Sequence, residues 1–276
     1  MDKIFRRFSY PYILWISFSI IIPLLLIFYY AFTTKSGVLS LANFQTVLSA
    51  QYLVIFMRSF FVALITTTLC LLIGYPTALY ISRAKKKNQT LLLFLFILPT
   101  WTNIVLRTYA WLVLFYKDGL IEQFFDFFGL SIQLQYSTFA VYLGMVYNFL
   151  PFMILPLYTA ISKIDSSLLA SSEDLGATRI QTLQRVILPL SFPGIVSGII
   201  MVFLPAATTF VIPQLLSAGK YNLIGNVIER QFLTANNMNL GSALSIILVI
   251  AILISIPVLN IFEKDMLKKR KRGERV

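Results

Sequence analysis

The side chains able to do chemistry in this 276-residue sequence are few. It contains no histidine, so neither imidazole acid–base catalysis nor a His-ligated metal is available. Its one cysteine, Cys70, can form no internal disulfide and no Cys-rich metal site. All eleven acids (Asp2, Asp118, Glu122, Asp126, Asp165, Glu173, Asp174, Glu229, Glu263, Asp265 and Glu274) lie outside the long apolar stretches. Those stretches hold no paired carboxylates for general acid–base work and no Ser/Lys/Asp constellation. No G-x-x-x-x-G-K-S/T phosphate loop exists either, so ATP is not bound in that way. Arg107 falls well inside an apolar stretch. This inventory argues against an enzyme. It also argues against a proton-coupled carrier, which needs an intramembrane carboxylate or histidine relay.

The elements that must position these residues are apolar helices. Hydrophobic residues make up 58% of the chain and charged residues 12%, with mean hydropathy +0.81. A soluble domain carries about 25% charged residues, enough to coat its surface. A membrane-crossing helix needs about 20 mostly apolar residues. Six stretches qualify: 12–32, 58–82, 91–115, 138–161, 194–216 and 242–262. The first is too long for a signal-peptide core and no small-x-small cleavage site follows it, so it reads as a retained anchor. The expected fold is an all-α membrane protein of six spans, one transmembrane domain over 1–276.

Charge sets the orientation. The net charge is +12, and 17 of the 23 Lys and Arg residues cluster in the N-terminus, the 83–90 and 162–193 loops and the C-terminal tail. The positive-inside rule then places both termini in the cytoplasm. The basic tail reads as a topology signal that meets anionic lipid headgroups, not as a nucleic-acid patch. Pro23, Pro76, Pro99, Pro151, Pro156, Pro205 and Pro257 lie within the spans. Each removes a backbone donor, and together they favour a bundle shaped around a path. On the outer side, Asp118 is expected to cap a short helix from about Leu120 to Phe128 that Gly129 ends. Phe124, Phe125, Phe127 and Phe128 would rest in the interface while Glu122 and Asp126 face outwards and guide a soluble partner.

The 162–193 loop is long and patterned. Asp165, Ser166 and Ser167 offer N-caps to a short helix, and Leu168, Leu169 and Leu175 give it an apolar side. Gly176 permits a sharp change of backbone direction. A second amphipathic run follows, with Ile180, Leu183, Val186 and Ile187 against Arg179, Gln184 and Arg185, before Pro189 and Pro193. Two short helices joined at a glycine read as a docking surface for another protein.

The spacing Ala170, Ser171, Ser172, three residues, Gly176, nine residues, Val186, one residue, Leu188, Pro189 resembles the E-A-A-x3-G-x9-I-x-L-P loop of permease subunits of binding-protein-dependent ABC importers. Gly176, Leu188 and Pro189 match and Val186 is conservative, while Ala170 replaces the family's Glu and Ser172 its second Ala. Glu173, one turn along the same face, is a candidate substitute. The stretches 98–111 (LPTWTNIVLRTYAW), 150–158 (LPFMILPLY), 173–177 (EDLGA) and 223–232 (LIGNVIERQF) are similar to the B-type permeases of spermidine/putrescine importers.

The resemblance implies a type I ABC importer permease in the cytoplasmic membrane, without an ATPase site of its own. Ala170, Ser171, Ser172, Glu173, Asp174, Leu175, Gly176, Ala177, Leu188 and Pro189 would then form the ATPase-coupling loop, within about 163–193. The implied partners are a second homologous permease subunit, two copies of an ATPase subunit that hold ATP and Mg, and an extracytoplasmic polyamine-binding protein. A polycation crossing spans without acids needs aromatic faces, amides, hydroxyls and kinked-helix carbonyls. Trp101, Asn103, Tyr109, Trp111, Tyr147, Asn148, Thr208 and Thr209 supply these groups, with carbonyls freed after the Pro99 kink. Arg107, as a like charge, is expected to be structural, anchoring backbone carbonyls or an acid of a neighbouring subunit. Two other readings stay open: a related importer permease for another small solute, or an ATP-independent channel or facilitator.

Overall fold

The computed structural model describes residues 2–117, 119–129 and 134–273. Helices account for every regular element among them. In chain order these are α1 (Asp2–Ala31), α2 (Ala42–Val47), α3 (Ala50–Arg83), α4 (Lys86–Ile97), α5 (Ile104–Leu114), α6 (Leu120–Phe127) and α7 (Thr138–Ile161). There follow α8 (Ser166–Asp174), α9 (Arg179–Thr182), α10 (Leu188–Thr208), α11 (Val211–Leu216), α12 (Ile224–Leu233) and α13 (Met238–Gly273).

Five helical runs are long and apolar enough to cross a membrane: Tyr10–Ala31, Ala50–Arg83, Thr138–Ile161, Arg179–Thr208 and Met238–Pro257. The expected third span, 91–115, is not one rod. It consists of α4, a 3₁₀ turn over Leu98–Trp101 and α5, bent by 93° at the break. The bend falls three residues after Pro99, at Thr102 and Asn103, both with extended backbone. A sixth crossing exists only if the bent pair counts as one span. The fifth span also differs from 194–216. It begins earlier, at Arg179, and stops at Thr208, beyond which α11 is a separate helix.

Proline content alone does not place these breaks. α3 runs unbroken past Pro76, and α7 past both Pro151 and Pro156. Neighbouring helices and side chains can satisfy the freed backbone groups and keep such helices continuous.

The chain forms two compact units. One comprises 1–55 and 227–253. In it two asparagines tie down the turn after α1: Asn239 Nδ2 donates to Tyr30 O (2.9 Å) and Thr33 O (2.7 Å), and Asn43 Nδ2 to Ala31 O (3.0 Å) and Thr33 O (2.9 Å). The other comprises 56–226 and 254–276 and holds the main apolar core. There α7 packs along α10, and α11 against both α5 and α7. Gly194 and Gly198 let α10 approach closely: a Cβ at either would lie 2.4 Å from Ala160 Cβ or 2.6 Å from Met153 Sδ. Small residues at the contact are how membrane helices gain packing where lipid offers no hydrophobic drive.

Candidate functional site

The 163–193 loop is built from the inside by its own polar side chains. Asp165 Oδ1 accepts from Ser167 N (2.9 Å) and caps α8. That bond holds the Asp165 carboxyl below its ordinary value of 3.8. At the other end Gly176 takes φ +76°, Gly176 N donates to Glu173 O (2.9 Å) and Ala177 N to Ser172 O (3.0 Å). This is a Schellman ending, which favours glycine because a side chain is strained in the left-handed region. Thr178 and Gln181 then cap α9 reciprocally.

Ser172 joins the two short helices. It is buried, and its hydroxyl contacts Leu169 O (2.7 Å) and Thr182 Oγ1 (3.0 Å). The second short helix is not free-standing as expected. After α9 the chain passes through a π turn over Leu183–Ile187, where Leu188 N reaches back to Leu183 O, straight into α10. Pro189 lacks the N–H that the next regular bond needs, which accounts for the wide turn at this point. The loop therefore presents one short helix and the extended N-terminal end of a span.

Most of the proposed contact residues stand on the surface. Ala170, Ser171, Glu173, Asp174 and Gly176 are exposed, Ala177 and Pro189 half-buried, and Leu175 is 88% exposed. Leu168, Ile180 and Leu188 add further exposed apolar surface. Beside them a cleft of about 790 Å³ is lined by Arg83, Leu169, Glu173, Ala177, Thr178, Arg179 and Thr182. Glu173 thus shares a cleft with two arginines.

Within the spans the expected path residues separate into three places. Trp111, Tyr147 and Asn148 come together where α5 meets α7. Trp111 meets Tyr147 edge-on (ring centroids 5.4 Å apart) and stacks on Phe115 (5.3 Å). Asn148, 1% exposed, spends its Nδ2 on Gly144 O (2.7 Å), and its Oδ1 has no partner among the described residues. Trp101 is elsewhere, 74% exposed and edge-on to Phe94 (5.6 Å), and Tyr109 is also exposed. Asn103 is the N-cap of α5, accepting from Val105 N (2.8 Å).

Two of the carbonyls around the Pro99 kink, expected to be free, are occupied. Pro99 O accepts from Thr102 N (3.2 Å) and Thr102 Oγ1 (2.7 Å), and Ile97 O from Thr100 Oγ1 (2.6 Å). Local threonine hydroxyls satisfy the bend. Arg107 departs from expectation in the opposite sense. Its Nε and Nη1 are buried and find no acceptor among the described residues, backbone carbonyls included.

Thr208 and Thr209 form the third place. Thr208 Oγ1 turns back onto Leu204 O (3.1 Å) and Pro205 O (3.3 Å). Their carbonyls are covered by Gly225, where a Cβ would lie 2.4 Å from Thr208 O and 2.9 Å from Thr209 O. Asn226 bonds across the same break, from Nδ2 to Phe210 O (2.7 Å) and Gln214 Oε1 (3.1 Å). Ser59 Oγ on α3 accepts from Ile224 N (2.7 Å). The LIGN stretch, 223–226, is therefore a clip that fixes the α10–α11 break to α3. Sequence reasoning marked these four residues but not this task, because their partners lie up to 165 positions away.

On α6 the N-cap position is Gly119, without a side-chain cap, and Asp118 lies outside the described residues. Gly129 follows the helix at φ +72°, as expected. Asp126 is exposed and Glu122 half-buried.

The sequence matches a known family. Residues 70–268 match the family described as binding-protein-dependent transport system inner membrane component. The chain belongs to that family. It is 40% identical over 241 residues to the spermidine/putrescine transport system permease protein PotB of Haemophilus influenzae, covering 84% of each chain. PotB of Escherichia coli K12 is 38% identical over 245 residues, covering 86% of this chain and 89% of that one. The inner membrane ABC transporter permease protein YdcU of the same organism is 31% identical over 229 residues, 78% and 73% of the two chains. Among solved structures, a bacterial ABC transporter involved in the import of the acidic polysaccharide alginate superposes with TM-score 0.77 at 19% identity, covering 96% of both chains. That likeness establishes the permease fold. The chain is an integral inner-membrane permease subunit of an ABC importer.

Proposed function

We propose that the substrate is a polyamine of the spermidine/putrescine class, moved inwards across the cytoplasmic membrane. The observation that carries this reading is the 40% identity over 84% of both chains to a spermidine/putrescine permease. The distribution of Lys and Arg supports a topology with both termini in the cytoplasm. The chain supplies half of the path, and a second homologous permease subunit supplies the rest. Two ATPase subunits, which hold ATP and Mg, receive the loop tip of Leu168, Leu175, Gly176 and Ile180. An extracytoplasmic binding protein delivers the polyamine.

In this reading Trp111, Tyr147 and Asn148 form the path on this chain. Asn148 Oδ1 is a buried acceptor without a donor, which a substrate ammonium can fill. The faces of Trp111 and Tyr147 offer ~0.5–2 kcal/mol per cation contact, weak enough for release. Trp101, Asn103, Thr208 and Thr209 are secondary, since Asn103 and Thr208 already serve the backbone, and Tyr109, on the exposed side of α5, is left out of the path. Arg107 awaits an acceptor from the second subunit, where a carboxylate is the complementary group. The decisive experiment is uptake of labelled spermidine and putrescine by cells lacking this chain, with the chain restored on a plasmid. Restoration of uptake, and co-purification of an ATPase, are expected. Uptake unchanged by the deletion refutes the polyamine assignment, and a chain that transports without an ATPase is a facilitator.

A further inference from the structure

Between the bent third span and α7 lies aromatic surface for which the transport reading has no use. α6 turns Ile121 and Phe125, four residues apart, onto the core. Phe124, Phe127 and Phe128 stand 60%, 86% and 62% exposed. Their rings meet edge-on, Phe124 to Phe128 at 5.1 Å and Phe127 to Phe128 at 5.4 Å, so they form one patch. α6 belongs to none of the runs able to cross a membrane.

The patch continues an apolar face on α5. After the 93° bend α5 has 11 residues, about 16 Å, which is half the ~30 Å of a bilayer core. Its exposed side carries Val105, Leu106, Tyr109 and Val113, and the chain then passes exposed Tyr116 and Lys117 before α6. Aromatic rings, aliphatic side chains and a lysine able to reach a phosphate are the composition of a helix lying in a membrane interface. A soluble docking partner fits less well. It visits only during delivery, which leaves three phenylalanines in water between visits. Of the two acids on α6, only Asp126 is exposed.

We propose that α6, together with the exposed face of α5, is an interfacial anchor seated at the headgroup–acyl boundary of a phospholipid leaflet. Phe124, Phe127 and Phe128 enter the acyl chains and Asp126 stays in water. The leaflet is the outer one if the topology proposed above holds, but the lipid contact itself does not rest on that topology or on the substrate.

The test uses the assembled transporter in phosphatidylethanolamine/phosphatidylglycerol bilayers. Nitroxide labels are placed singly through Phe124→Cys, Phe127→Cys, Phe128→Cys and Asp126→Cys, with buried Cys70 left unlabelled. Collision with oxygen reports lipid, and collision with a water-soluble nickel chelate reports solvent. The oxygen-to-nickel ratio at position 127 is expected to be several-fold that at 126 and unchanged by saturating binding protein. Equal ratios at 126 and 127 overturn the proposal by placing the patch in water. Low collision with both reagents at 127 overturns it by placing the patch under another subunit. Loss of oxygen access when binding protein is added overturns it by making the patch a docking surface. Polyamine uptake, measured on unlabelled transporter, fails or succeeds independently of these ratios.

Discussion

In the 163–193 loop no buried side-chain polar atom lacks a partner: Ser172 meets Thr182, Asp165 caps α8, and Thr178 and Gln181 cap each other. Where α5 meets α7 the reverse holds, with Asn148 Oδ1 and two Arg107 nitrogens left unpaired among the described residues. The loop also turns its apolar side chains outwards, Leu175 above all, whereas in the intramembrane cluster the rings of Trp111 and Tyr147 meet edge-on. A buried polar group without a partner costs about 1–3 kcal/mol, so a fold retains one where something else completes it. The contrast is between a loop whose polar groups are locally satisfied and a membrane cluster with incomplete internal contacts. Changes at the loop should then act on coupling, and changes at the cluster on passage.

The largest expected effect is at Gly176. Its Cβ position is open, with nothing within 4 Å, so a side chain there meets no clash inside this chain. The cost is conformational, because φ +76° disfavours a side chain by about 1–2 kcal/mol. Gly176→Trp should insert and assemble, yet lose uptake and the response of ATPase activity to loaded binding protein. Gly176→Asn, which tolerates this region better, should retain more of both than Gly176→Ala. Substrate-stimulated turnover at the wild-type level in Gly176→Trp would give the loop another purpose.

Tyr147→Leu and Trp111→Leu should come next. The edge-on pair between these rings is worth about 0.5–1.5 kcal/mol beyond its area, a modest loss for assembly. Uptake should fall several-fold while membrane abundance and basal ATP hydrolysis persist, and Tyr147→Phe should be milder. If both Leu variants transport normally, the path runs through the second subunit.

Much of this was legible in the sequence, and the failures share a cause. Composition and run length identified the spans because lipid demands about 20 apolar residues whatever the neighbours are. The glycine turn was legible because its cap bonds are local. The break in the third span was not. Proline predicts bending, yet α7 carries Pro151 and Pro156 without interruption while the 93° turn sits at Thr102 and Asn103. Whether a proline breaks a helix depends on its tertiary surroundings, and the turn that follows Pro99 is closed locally, by the Thr102 hydroxyl donating to Pro99 O. The LIGN clip was invisible for a related reason: Gly225 matters through the carbonyls of Thr208 and Thr209, a tertiary contact that no local pattern encodes.

A smaller effect sharpens the loop side of the comparison. Ser172 stands where the family motif has alanine, and it shares a buried hydrogen bond with Thr182 at 3.0 Å. Ser172→Ala alone strands the Thr182 hydroxyl and should cost about 1 kcal/mol. Adding Thr182→Val removes the stranded group and should recover part of that loss. Thermal unfolding of the four proteins in a double-mutant cycle measures the coupling. A pair that behaves additively would mean that the hydroxyls do not hold α8 to α9.

The smallest effect is at Asp165, and its sign follows from its shifted carboxyl. The folded-state value lies below the ordinary 3.8 because Ser167 N donates to the ionised form. A group depressed on folding contributes its stability in full above the unfolded value and loses it as pH falls through the folded value. At neutral pH the cap is therefore complete, and pH changes between 6 and 8 should leave the start of α8 unaffected. Asp165→Asn keeps a side-chain acceptor and should be nearly silent, whereas Asp165→Ala removes the cap. Hydrogen exchange at the amides of 166–168 reads this directly. Faster exchange in the Ala variant but not in Asn, with uptake almost unchanged in both, is expected of a solvent-exposed cap on a helix already fixed through Ser172. Uptake that falls with Asp165→Asn would instead assign the Asp165 charge, and not its hydrogen bond, to the contact with the ATPase.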